Sequence, residues 1–66
     1  MKVSFDRDAN ALYIRFSDDE ISDTAEVRPG VMLDYDANGR IVGLEILNAS
    51  KALSGPDLKR LAVELA

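Results

Sequence analysis

Asn38-Gly39 lies between two runs that alternate apolar and polar residues, at about 31–36 and 41–47. An Asn-Gly pair supplies the two positive-φ positions of a type I′ turn, the turn whose twist matches that of two paired strands. The spacing therefore predicts a β-hairpin. A two-residue loop pairs Ala37 with Arg40, Tyr35 with Val42, Leu33 with Leu44 and Val31 with Ile46. Six apolar residues then share one face. A three-residue loop, pairing Asp36 with Arg40, sets Leu33 opposite Gly43 and divides the apolar residues between both faces. A one-residue slip turns every side chain over, so burial favours the two-residue turn.

The same alternation marks strands at about 2–6, 11–17 and 24–28. Residues 7–10 read as a four-residue loop that pairs Phe5 with Leu12 and Val3 with Ile14. The run at 24–28 has a thin apolar face and ends at Pro29-Gly30, which suits a charged edge strand. Asn48 reads as a cap for a short turn over residues 49–51. Ser54-Gly55-Pro56-Asp57 is a helix start, with a Ser cap, Pro in the first turn and an acid at the positive end of the dipole. Leu58, Leu61, Ala62 and Leu65 then form one apolar stripe over a helix at about 55–65. The expected fold is α+β: an antiparallel four- to five-stranded β-meander with a C-terminal helix packed on one face, in a single domain over 1–66.

A chain of 66 residues forms one small domain, and domains this short often need disulfides, a metal or a second copy for stability. Cys and His are both absent, which removes disulfides and the usual zinc, haem and iron–sulfur ligands. No cofactor is expected. Without His no Ser-His triad can form. Twelve acids against eight bases give a net charge of −4, and the basic residues do not cluster. This disfavours nucleic-acid binding by this chain alone and suits a small basic protein as partner. No apolar run reaches membrane-spanning length and the N-terminus does not read as a signal peptide, so no membrane association and a cytoplasmic location are expected.

Asp34, Asp36, Asn38, Gly39 and Glu45 match the spacing of a calcium-binding EF-hand loop. An EF-hand needs a helix on each side, whereas these flanks alternate at period two. In an extended strand Glu45 lies about 20 Å from Gly39, far beyond the reach of an ion at the turn. The stretch reads as a hairpin turn and no metal site is assigned. Asp6, Asp8 and Asn10 are turn chemistry on the same grounds. Asp18, Asp19, Glu20 and Asp23 form an acidic loop without the burial that acid–base catalysis needs. The second sheet face carries Tyr13, Met32, Ile41 and Leu47 among Arg15, Asp34 and Glu45. Tyr13, Arg15, Met32 and Ile41 are the candidate partner-contact residues.

Phe5-Asp6, then residues 8–17 (DANALYIRFS), 30–36 (GVMLDYD) and 39–50 (GRIVGLEILNAS), resemble in order and spacing the small prokaryotic domain-of-unknown-function family 2283. The resemblance covers most of residues 2–53. It implies a compact β-meander with a C-terminal helix and carries over no catalytic residue. Some members look like the antitoxin half of a pair whose toxin is a small ribonuclease. Three functions follow as expectations. The first is a non-enzymatic acidic interaction domain, antitoxin-like, for a small basic toxin. The alternative is a stand-alone homodimer that binds a small ligand. The third, a carboxylate-dependent hydrolase, lacks a base that titrates near neutral pH.

Overall fold

A computed structural model describes residues 1–54 together with Pro56 and Arg60. Among these residues five strands form one antiparallel sheet: β1 (Lys2–Asp6), β2 (Ala11–Arg15), β3 (Asp23–Arg28), β4 (Val31–Tyr35) and β5 (Ile41–Ile46). One helical turn, α1 (Ala49–Ala52), follows. The class is α+β. The helix expected at about 55–65 lies, but for Pro56 and Arg60, outside the described residues.

The sheet is not the expected meander. Its strand order is β1-β2-β5-β4-β3, so β5 inserts between β2 and β4 and β3 lies at an edge. The apolar content of the strands accounts for this. Leu12 and Ile14 on β2 stand opposite Ile46 and Leu44 on β5, a richer apolar pairing than β3 offers with Ala25. Central positions go to the strands with the most apolar surface to bury.

In the β1–β2 hairpin Phe5 pairs with Leu12 and Val3 with Ile14, the register that apolar matching requires. Asp6 shapes the turn: its Oδ1 accepts from the backbone N–H of Asp8 (3.0 Å) and of Ala9 (3.2 Å). Asn10 closes the turn at φ 53°, a left-handed conformation that Asn tolerates better than most residues.

The β4–β5 hairpin corrects the two-residue turn. Asn38 has no positive φ, so the turn is not type I′. Gly39, at φ 79°, donates its N–H to Asp36 O (3.1 Å), and Asp36 N donates to Arg40 O (2.9 Å). This is a three-residue loop, a type I turn closed by a left-handed Gly. Yet Leu33 still faces Leu44 and Val31 still faces Ile46. A bulge reconciles the two: Tyr35 pairs with Ile41 and Asp34 with Gly43, leaving Val42 as an extra residue. The loop and the bulge are one-residue offsets that cancel. Val42 is 1% exposed, and its C=O accepts from Phe16 N on the β2 side (2.9 Å). Burial of that side chain contributes about 1.5 kcal/mol.

Pro29-Gly30 joins β3 to β4, with Gly30 at φ 80° as a type II turn requires. Such turns splay a hairpin, and a bulge between Glu26 and Arg28 absorbs the misfit.

The helical turn is fastened by a residue far upstream. Ala49, fully buried, donates its N–H to Asn10 O (2.9 Å). Ser50 N donates to Asn10 Oδ1 (3.2 Å), and Asn10 Nδ2 donates to Ser50 Oγ (2.8 Å). Asn48 holds the N-cap position at φ 51° but makes no side-chain cap bond. Asn10 supplies the cap instead, tying α1 to the β1–β2 turn.

Candidate interaction face

Strand register lays two rows of side chains across the sheet face opposite Leu33 and Leu44. One row runs Ser4, Tyr13, Glu45, Met32, Glu26; the next runs Lys2, Arg15, Gly43, Asp34, Thr24. Gly43 leaves a gap in the second row, and Tyr13 leans across it. The Tyr13 hydroxyl donates to Asp34 Oδ2 (2.7 Å). Thr24 Oγ1 donates to the other oxygen, Asp34 Oδ1 (2.6 Å). Asp34 is 8% exposed, so a carboxyl lies under the face with each oxygen held by a hydroxyl. Buried polar atoms are normally partnered in this way. The three residues bind β2, β4 and β3 to one another over β5.

A Cβ at position 43 comes within 2.6 Å of Tyr13 Oη and 2.7 Å of Asp34 Oδ2. The absence of a side chain at 43 is therefore what allows the bond. The hydrogen bond to Asp34, followed by burial, raises the Tyr13 pKa above the usual 10.0, while Arg15 pulls the other way. Tyr13 stays protonated as the donor.

Arg15 is drawn away from the row toward the β2–β3 loop. Its Nε donates to Ser17 O (2.6 Å), and its Nη2 donates to Asp19 O. Both acceptors are backbone carbonyls, so the charge orders the loop while leaving its carboxylates exposed. Asp18, Asp19, Glu20 and Asp23 are all exposed.

The four residues of the calcium-like pattern separate. Asp36 Oδ1 accepts from Asn38 N and Arg40 N, both at 2.9 Å, which is turn closure. Asp34 is committed to Tyr13 and Thr24. Glu45 stands opposite Tyr13 and Met32. Among the described residues no three His, Cys, Asp or Glu side chains come together as metal ligands. Of the partner-contact candidates, Tyr13, Arg15 and Met32 are half-buried on this face. Ile41, 49% exposed, stands opposite Tyr35 beyond the bulge. Thr24 escaped the sequence reading, and no spacing signal marks it. Gly43 was not singled out either, although an isolated Gly inside a strand is the kind of signal that marks a close approach.

No helix among the described residues is long and apolar enough to cross a membrane. Comparison with curated proteins and with solved structures finds no match. The model of the family "Protein of unknown function (DUF2283)" matches residues 2–50 of this 66-residue chain, which therefore belongs to that family.

Proposed function

We propose that this chain is a non-enzymatic interaction module that engages a small basic protein, an antitoxin-like role. The observation that carries the reading is the arrangement around Arg15. The guanidinium donates to the loop carbonyls of Ser17 and Asp19, which ties the loop to β2 while Asp18, Asp19 and Glu20 stay exposed. Asp34, the one buried acid among the described residues, is engaged by hydroxyls on both oxygens, which favours a structural role over acid–base catalysis.

The test is recovery of the tagged chain from its native host. A small basic protein should co-elute at low salt and dissociate at about 0.5 M salt, where exposed charges are screened within a few ångströms. Capture should fall in the triple variant D18N/D19N/E20Q. Failure to recover a basic partner, or capture that is indifferent to both salt and the triple variant, refutes the reading.

A second reading, a homodimer, is favoured by the outer edge of β1, which no strand among the described residues covers. A C-terminal helix is also expected at about 55–65. A cavity of about 570 Å³, lined in part by Val31, Ile46 and Leu53, opens where the chain leaves α1. We infer that the apolar stripe of that helix covers the sheet face beside it. Truncation after Ser54 should then lower the melting temperature, and an unchanged melting curve counts against the packing.

A further inference from the structure

The two edges of the sheet differ. β3 is protected as edge strands usually are: it carries a bulge between Glu26 and Arg28, charges at both ends and Pro29 immediately beyond. β1 has neither bulge nor Pro. Its five residues pair with β2 without a register shift, and its outer backbone groups face no strand among the described residues.

We propose that β1 is the docking edge for β1 of a second copy, joining two sheets antiparallel about Ser4. The proposal rests on the homodimer reading and specifies its surface. The sequence of β1 is complementary to itself in one register. Outward-facing backbone groups recur every second residue, so allowed antiparallel registers differ by steps of two. The register centred on Ser4 pairs all five residues. It sets Lys2 opposite Asp6 of the second copy, twice by symmetry, and Val3 opposite Phe5, also twice. The register centred on Val3 instead sets Lys2 against Ser4, and that centred on Phe5 sets Asp6 against Ser4; each loses residues from the pairing and leaves a charge unmatched.

Burial agrees with this register. Val3 and Phe5 are half-buried on the face that carries Leu12 and Ile14, while Lys2, Ser4 and Asp6 are exposed on the other. Pairing about Ser4 continues the apolar face of one sheet into that of the next. The opposite-charge pairs then lie together on the exposed face, where directly opposed charges stabilise a sheet. Asp6 keeps its place there while its Oδ1 holds the turn. β3 has no equivalent register: centring on Glu26 opposes Glu26 to itself, and the bulge interrupts the ladder.

The absence of Cys from the chain makes crosslinking a clean probe. Sedimentation equilibrium of the full chain should show a dimer. In K2E an introduced carboxylate faces Asp6 of the second copy at both ends, and the dimer should weaken about tenfold or more. D6K should weaken it likewise, whereas an equimolar mixture of K2E and D6K restores both opposite-charge pairs and should recover the dimer. Under mild oxidation S4C should form a disulfide dimer readily. K2C should not, because two Lys2 positions lie about 13 Å apart along the paired strands. The S4C result keeps the test decisive if D6K, which loses its turn bonds, does not fold. A chain that stays monomeric at the highest soluble concentration overturns both this edge and the homodimer reading. A dimer unaffected by K2E, or one in which K2C crosslinks as readily as S4C, overturns the edge alone and leaves the homodimer standing on another surface.

Discussion

Tyr13 reaches Asp34 because Gly43 has no side chain, so three residues on three strands depend on one missing methyl group. Substitution Y13F removes the donor and leaves a buried carboxyl oxygen without its partner, at a cost of about 1–3 kcal/mol by chemical denaturation. G43A drives a Cβ against both partners of the bond, so the Tyr13 hydroxyl must swing away and the bond is lost; about 1–3 kcal/mol is expected here too. The double variant Y13F/G43A should cost less than the sum, since both changes break one contact. The pH dependence has a definite sign. Folding raises the Tyr13 pKa above 10.0, so the folded state holds the proton more tightly than the unfolded state. That contribution is complete below the unfolded value and declines as pH rises through the folded one. The wild type should lose stability in this alkaline window, and Y13F should lack that component. From sequence, Gly43 could be flagged as a close approach, but which side chain crosses it depends on β2 lying beside β5. Local alternation does not contain that pairing.

At the scale of the element, strand positions were legible because alternation reports burial directly. All five strands lie within two residues of where the period-two pattern puts them. Turn geometry was less legible. The Asn-Gly pair suggests type I′, yet the observed turn uses only the positive φ of Gly39 and relies on Asp36 Oδ1 for closure. The apolar register survives because the bulge at Val42 restores what the longer loop displaces. Register answered to burial, and the backbone adjusted. The cap of α1 was illegible for a different reason, since Asn10 and Ser50 are far apart in sequence. Their side-chain bonds should couple in a double-mutant cycle: N10G, which keeps the left-handed conformation, and S50A should share about 1 kcal/mol of interaction energy. Additive losses mean that the clamp adds nothing beyond the Ala49 backbone bond.

Strand order belongs to the whole molecule, and the connection from β2 to β3 tests it. In a meander these strands are neighbours and residues 16–22 form a simple hairpin loop. In the observed order the same residues cross from β2 to the far edge, past β5 and β4. Phe16 N bonds to Val42 O and Ser22 N to Tyr35 O, which fixes both ends of the crossing. Three strand spacings take about 14 Å. The six steps from Phe16 to Ser22 reach about 21 Å at full extension. The surplus is needed, because the β4–β5 turn lies at the same end of the sheet and the chain must pass around it. Deleting Asp18 and Asp19 leaves four steps, about 14 Å, with no slack. That deletion should abolish cooperative unfolding, since a domain of this size has only about 3–10 kcal/mol to lose. Inserting Gly-Ser after Asp18 should cost well under about 1 kcal/mol, because loop closure varies slowly with length. R15Q serves as the control: it removes the loop's anchor without shortening the path, and should leave a folded chain. A meander tolerates the deletion as a shorter hairpin, so a stable, cooperatively folded deletion variant contradicts the order β1-β2-β5-β4-β3.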